Sequence, residues 1–377
     1  MRIAVVGRGM IGSAAARHLA KQGQEVILIG PSEPADPQRH DGVFASHYDE
    51  GRITRSLDPS PFWSRASRDS IARYDEIEAA SGVRFFHETG LIMAGPEGSE
   101  PISEVDRGAA RDGIMCEAYR GTDLAARFGY FSFGADTLAL FEPRRAGHIN
   151  PRALVRAQGI AAQRAGAQVL DTVATGLRED AAGVTVQTSQ GEVAADQVLV
   201  AAGGFSKTLL GESINLRVYA RTVLLLEVDA EEQARLAGMP PLIWLGPAGE
   251  DPYLLPPIRY PDGRMYLKIG GDPGDVALNT DQDMRDWFRS GGNPQVGALL
   301  EDAIRARMPG LRSGSSKIAA CVTSYSDDGL ALIERLNARV SVATAGCGKA
   351  AKNSDELGRL GAEVALGRAL PDWAARS

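Results

Sequence analysis

The chain has 377 residues, 44% hydrophobic and 24% charged, with a formal net charge of −7. This is the composition of a globular protein long enough for two domains. It lacks the clustered Lys and Arg that phosphate-backbone binding needs, which excludes a nucleic-acid partner. No run approaches the ~20 uninterrupted apolar residues of a membrane span. The three cysteines, Cys116, Cys321 and Cys347, make neither a CxxC pair nor a zinc spacing, so no disulfide framework is expected. A strand begins at once in place of a signal peptide, and a cytoplasmic location follows as the expectation.

In chain order, Arg2–Val6 is a short apolar run fit for a buried parallel strand. Gly7-Arg8-Gly9-Met10-Ile11-Gly12 follows, then a helix from Ser13 that stops at Gly23, then a second strand, Glu25–Ile29. This is a βαβ unit carrying GxGxxG. The first glycine allows the tight turn, the second lets backbone approach a pyrophosphate, and the third lets the helix pack close to the strand. The helix N-terminus, at Met10 and Ile11, offers amide donors to phosphate. Gly7, Gly9, Met10, Ile11 and Gly12 are therefore expected to hold a dinucleotide; the motif does not choose between NAD and FAD. The second strand ends in Gly30 where an Asp or Glu usually binds the adenosine ribose. Ser32 and Glu33 are the nearby candidates, Ser32 being taken as the cofactor contact, against the alternative that both are exposed in a loop.

Residues 31–45 read as loop, 61–82 as helical, 83–95 as strands, and 151–170 as a helix running into a strand. Residues 183–204 read as a hairpin and a buried strand, 221–228 and 253–270 carry further strand signals, and 354–370 is a final helix. Strands and helices mix without strict alternation. The fold class is therefore α/β (α+β): a Rossmann-like dinucleotide domain (1–82, 149–222, 319–377) interleaved with a mainly antiparallel-sheet substrate domain (83–148, 223–318). The five histidines, at 18, 40, 47, 87 and 148, show no metal-ligand spacing, so no metal site is expected. No GxSxG elbow supports a serine triad.

One segment carries a resemblance. Ala45-Ser46-His47-Tyr48-Asp49-Glu50-Gly51-Arg52-Ile53-Thr54-Arg55 resembles the Ser-His-His…Arg-Ile-Ile-Arg stretch of the monomeric sarcosine oxidase and N-methyltryptophan oxidase group, in the D-amino-acid-oxidase-like flavoprotein superfamily. Further segments match in order: Phe141-Glu142-Pro143 with the helix after it, Ala195 through Phe205, Met265–Gly270, Ala320–Asp328, and Thr344–Gly348 with Ala351–Ser354. The resemblance spans most of the chain and implies FAD. It implies flavin contacts at Ser46, His47, Val173, Gly203, Gly346, Gly348 and Lys352, and a covalent link from FAD to the sulfur of Cys321. The alternative for Cys321 is a small buried hydrophobe. Lys268 would lie near the reactive flavin nitrogen and stabilise negative charge on oxygen, against the alternative of a solvent-facing lysine. Arg52 would sit by the flavin, and Arg55 and Lys352 would grip a substrate carboxylate, against surface salt bridging.

Two positions depart from the group's pattern. Tyr48 stands where the relatives often carry a second His, and still offers a hydrogen-bond donor. Asp272 stands where they carry a pocket His; it is either a loop residue or a substrate contact favouring a cationic or extended amine. These departures argue against sarcosine itself. The expectation is an FAD-dependent oxidase of a secondary or N-methylated amino acid, with O2 reduced to H2O2, working as a monomer or small homo-oligomer. The alternatives are a glycine-oxidase-like or biosynthetic flavoenzyme that cleaves an N-carboxymethyl group or makes a cyclic imine, and a non-catalytic flavin-binding subunit. An NAD(P)-dependent dehydrogenase would leave the matches at Cys321 and Lys268 without a role.

Overall fold

The computed structural model describes residues 1–247 and 251–376. Its first layer is a six-stranded sheet in the order Leu332–Arg335, Val340–Thr344, Gln197–Val200, Arg2–Val6, Glu25–Ile29, Gln168–Leu170. All neighbours are parallel except the edge strand Leu332–Arg335. The central strand buries Ile3, Ala4 and Val5 completely, as a parallel strand covered on both faces must. The helices Met10–Lys21, Pro151–Arg164 and Ala350–Ala365 cover one face. The first presents Ala15, Leu19 and Ala20 to the core, as their spacing predicts.

The second layer is an eight-stranded, mainly antiparallel sheet that contains Ser316–Tyr325, Arg217–Glu227, Met265–Gly270 and Tyr253–Arg259 as successive neighbours. Its Leu242–Trp244 and Leu91–Pro96 strands run parallel. The register places Arg221 opposite Cys321, and Leu225 and Leu255 opposite Lys268. Opposed residues share a face, so Arg221, Cys321, Thr323 and Lys268 line the same side. The other side, with Leu224, Leu226, Leu267 and Ile269, packs on Leu300 and Ile304 of the helix Pro294–Arg307. Met265–Gly270 is thus covered on both faces, and Lys268 is 0% exposed, which removes the solvent-facing alternative.

The hairpin at 184–195, the strands near 83–96 and the helix–strand unit at 151–170 lie where the sequence places them. The helical stretch 61–82 divides into Pro61–Ile71 and Tyr74–Ser81, and the last helix begins at Ala350, four positions before the expected start at 354. The boundaries expected at 222 and 319 fall inside the paired strands Arg217–Glu227 and Ser316–Tyr325, both members of the eight-stranded sheet. This ribbon reaches the dinucleotide layer, where the Cys347 amide donates to the Ser324 carbonyl at 2.9 Å. No helix among the described residues is long and apolar enough to cross a membrane.

Candidate active site

A long cleft of about 1450 Å³, open to solvent, runs from the glycine loop to the reactive face of the second sheet. Gly7, Gly9, Met10, Ile11, Ser46, His47, Tyr48, Arg52, Val173, Gly203, Cys321, Gly346 and Gly348 all line it. Local backbone explains the glycine loop. A Cβ on Gly7 would lie 2.2 Å from the Ala201 carbonyl oxygen, and one on Gly12 would lie 1.8 Å from the Gly7 carbonyl oxygen. Those two glycines are spent on backbone packing. Gly9 faces open space, with only His47 Nδ1 at 4.0 Å, and it caps the helix without any side-chain hydrogen bond. The helix amides therefore point into the cleft free for phosphate.

His47 adds a second mark of a bound group. Its Nδ1 is buried with no hydrogen-bond partner among the described residues. Burial, aided by Arg152, Arg52 and Arg8, pushes its imidazole down to about 3, so it is neutral and its orphaned nitrogen awaits a polar ligand. Burial, with Glu33 adding, pushes the neighbouring Tyr48 hydroxyl up to about 12; it keeps its proton and remains a donor. The closing loop carries Ala345, Cys347 and Gly348 at φ of 56°, 47° and 71°. Two non-glycine residues in the left-handed region store strain beside the cleft. The open helix end, the unsatisfied imidazole and the strained loop together fit an elongated dinucleotide.

Beyond the glycine loop, Ser32 and Glu33 are both engaged by protein groups. Ser32 does not line the cleft. Its hydroxyl donates to Asp171, which also accepts the Ser32 amide at 3.0 Å and pairs with Arg8 at 3.3 Å. Glu33 is engaged by Arg152 at 2.6 Å. Asp171 lies just past the end of the adjacent strand Gln168–Leu170 and, like Ser32, is not among the residues that line the cleft.

The reactive end is built from charge. Arg52 Nη2 donates to the Ser46 carbonyl at 3.1 Å and approaches Cys321 Sγ at 3.4 Å, placing a positive group against the sulfur. Arg52 also pairs with Asp49, and so does Lys268. Lys268 Nζ further donates to the Gly51 carbonyl at 2.9 Å, and Asp49 accepts the Tyr260 hydroxyl at 2.8 Å. Lys268 is thereby linked to the cleft wall through Asp49 and Arg52.

Arg55 and Lys352, about 300 positions apart in sequence, converge on one buried carboxylate, that of Asp58. Asp58 lies 2.9 Å from Lys349, 3.4 Å from Lys352 and 3.6 Å from Arg55. Burial raises the Asp58 carboxyl, but Lys352, Lys349 and Arg55 outweigh it and hold it below the usual carboxylate range. Lys352 also donates to Ser67 and is 2% exposed; its helix lines the cleft with Ala350 and Ala351 instead. Burial, partly offset by Asp58, pushes its ammonium down to about 7. Arg55 differs: its guanidinium makes no hydrogen bond among the described residues, and its Nε is buried without a partner.

Asp272 is not brought to this cluster. Its two oxygens accept the amides of Thr222 and Gly274, each at 3.2 Å, which ties its loop to the strand Arg217–Glu227. Sequence reasoning passed over Asp49 and Asp58, which organise both charged clusters. Each lies three residues from an arginine, Asp49 before Arg52 and Asp58 after Arg55, and that spacing was the available signal. Among the described residues no group of three or more His, Cys, Asp or Glu is placed to hold a metal.

Comparison with known proteins agrees with this architecture. The N-methyl-L-tryptophan oxidase of Yersinia pestis (strain Pestoides F) is 30% identical over 212 residues, 55% of this chain and 54% of that protein. Its counterpart in Yersinia pseudotuberculosis serotype O:1b (strain IP 31758) gives the same figures. The chain thus matches about half the length of these curated relatives. Among solved structures, NikD, an unusual amino acid oxidase essential for nikkomycin biosynthesis, superposes with a TM-score of 0.77 at 20% identity, over 97% of this chain and 93% of that one. Glycine oxidase from Bacillus cereus ATCC 14579 gives 0.74 at 18%, covering 97% and 95%. Iminodiacetate oxidase from Chelativorans sp. BNC1 gives 0.74 at 17%, covering 98% and 97%. At these identities the structural likeness speaks for the fold. The family model for FAD dependent oxidoreductases matches residues 2–364, nearly the whole chain, and the protein belongs to that family.

Proposed function

We propose that the chain oxidises a secondary or N-methylated amino acid at its CH–NH bond, with FAD in the cleft and O2 as the electron acceptor. The observation that carries this reading is the meeting of Arg52 and Cys321 in the wall of the cleft that also takes in the dinucleotide loop, with Lys268 joined to Arg52 behind them through Asp49. Bound FAD supplies the acceptor for the hydride, leaving an imine that hydrolyses. The protein's part is orientation and electrostatics. Arg55, whose guanidinium lacks a hydrogen-bonded partner among the described residues, anchors the substrate carboxylate through its planar fork. Lys352 and Lys349 act behind it, holding Asp58 and through it Arg55. Arg52 and Lys268 stabilise negative charge that develops on oxygen. Tyr48, protonated across the working range, donates a hydrogen bond into the cleft. Cys321, with Arg52 against its sulfur, is the attachment point for FAD.

Three measurements test this. The purified protein should be yellow, release peroxide with members of a panel of N-alkyl amino acids, and keep its flavin fluorescence on the denatured polypeptide. Flavin that leaves on denaturation removes the covalent link and nothing else. A flavin-loaded protein that yields no peroxide with any member overturns the oxidase reading.

A further inference from the structure

Lys268 is a fully buried lysine whose ammonium meets protein groups in place of water. From the segment before and within the strand Arg52–Thr54 come the Asp49 carboxylate, the Gly51 carbonyl at 2.9 Å and, through Asp49, the Arg52 guanidinium. From Tyr253–Arg259 comes the Tyr253 ring, 5.7 Å from Nζ. Tyr260 reaches the group through Asp49, and Cys321 through Arg52. Asp49 is the only carboxylate among these neighbours. Burial and the Arg52 charge push the Lys268 ammonium well below its ordinary range, with Cys321 opposing, and in a dry site a counter-charge in contact favours the charged form. A neutral amine has no field with which to stabilise a developing oxygen anion.

We propose that Asp49 is the positioning residue of this site: its carboxylate favours the charged form of Lys268 and fixes Nζ between itself and the Gly51 carbonyl. The inference rests on the reading of Lys268 as the cation that serves oxygen reduction. Asp49 is equipped for the task. It accepts the Tyr260 hydroxyl at 2.8 Å and the Glu50 amide at 2.8 Å, and it pairs with Arg52. Donors on a carboxylate favour its ionised form. With Arg52 included the trio carries one net positive charge, so ion pairing with Asp49 leaves the end of the cleft electropositive.

The test follows the holoprotein across about pH 5.5 to 9.5, a range that brackets a lysine displaced downward from its usual value. Two quantities are read relative to wild type: the affinity of sulfite, an anion that adds to the bound flavin and bleaches its absorbance, and the rate of flavin reoxidation by O2. Wild type should hold the Lys268 proton to a higher pH than any variant that weakens Asp49. Asp49→Asn should introduce a step in both quantities, each falling about tenfold or more as pH rises and Lys268 loses its proton. Asp49→Glu should restore the wild-type profile. Lys268→Met should be low and flat, and adding Asp49→Asn to it should change nothing more. A wild-type profile in Asp49→Asn, or a step that survives in the Lys268→Met background, overturns the proposal. Should Asp49→Asn lose its flavin, the isosteric Tyr260→Phe decides: removing a donor to Asp49 should give the same step, shifted less, and a wild-type profile there also overturns it. If Lys268→Met alone alters neither quantity, the reading of Lys268 fails and the inference falls with it, a pattern distinct from failure of Asp49 alone.

Discussion

Gly7, Gly9 and Gly12 shape one end of the cleft by lacking side chains, whereas Asp49, Arg52 and Lys268 shape the other by burying three charges. At the glycine end, backbone packs on backbone within a few ångströms, Gly12 against Gly7 and Gly7 against Ala201. At the charged end, the partners come from residues 49–52, 268 and 321, and the charges are paired with one another. A site made of backbone fails by steric displacement. A site made of buried charge fails by a change of protonation or by loss of a partner, with the fold left standing. Substitutions at the two ends should therefore produce different kinds of damage.

The largest effect is expected at the glycine end. In Gly12→Val a side chain would begin 1.8 Å from the Gly7 carbonyl oxygen, so the loop must move. Flavin content should drop close to zero, with overpacking costing roughly 1–3 kcal/mol or more; absorbance ratio and melting temperature measure both. A variant that keeps full flavin would break the comparison. Next is Lys268→Met, which should slow flavin reoxidation by roughly 10²–10³-fold, the usual cost of removing a group that meets developing negative charge. Stopped-flow measurement should find substrate-driven reduction much less affected. Equal slowing of both halves would give Lys268 a structural role.

The carboxylate grip comes third. Arg55→Ala should lower kcat/KM for an N-alkyl amino acid by roughly tenfold to a hundredfold, the worth of a hydrogen bond to a charged partner, while the decarboxylated amine changes little. Lys352→Met should leave that discrimination near wild type, since its ammonium is directed at Asp58 and Ser67. It should instead cost roughly 3 kcal/mol of stability, the lower end for a broken buried pair, because Asp58 keeps Lys349 and Arg55. Matching losses of discrimination in both variants would restore a two-cation clamp. The smallest effect concerns pH. The His47 imidazole is depressed to about 3 in the folded state, below its unfolded value. The unfolded chain then binds more protons between that value and about 6.5, so its share of stability is complete above about 6.5 and is lost as pH falls toward 3. His47→Asn should make the fall of melting temperature below neutral pH shallower by up to about one proton. An unchanged slope would place a protonated imidazole in the fold.

The same contrast governs what was legible in the chain. The βαβ unit, the hairpin at 184–195 and the strand Met265–Gly270 could be read because their apolar periodicity is local. The helices Glu100–Asp112 and Asp281–Ser290 escaped the sequence reading. The second buries only Met284 and is set by a capping box between Thr280 and Asp283, which a search for apolar stripes does not register. The pairing of Ser32 with Asp171 was not legible, because Asp171 follows a strand that is adjacent in the sheet and distant in the chain.

The sequence by itself determined that a dinucleotide is held at the first strand–helix turn, and which residue types, Arg52, Arg55, Lys268 and Cys321, are available at the reactive end. Glycine spacing and apolar period are short-range properties, and the chain carries them wherever it folds. Only the tertiary structure decided how the charges pair. It turned Lys352 away from the cleft toward Asp58, spent Asp272 on two backbone amides, and joined Lys268 to Asp49 across 219 positions. The reason is physical. The protonation and strength of a charge depend on the water excluded around it and on the nearest opposite charge, and both are contributed by segments that are distant in the chain and meet only in the folded state.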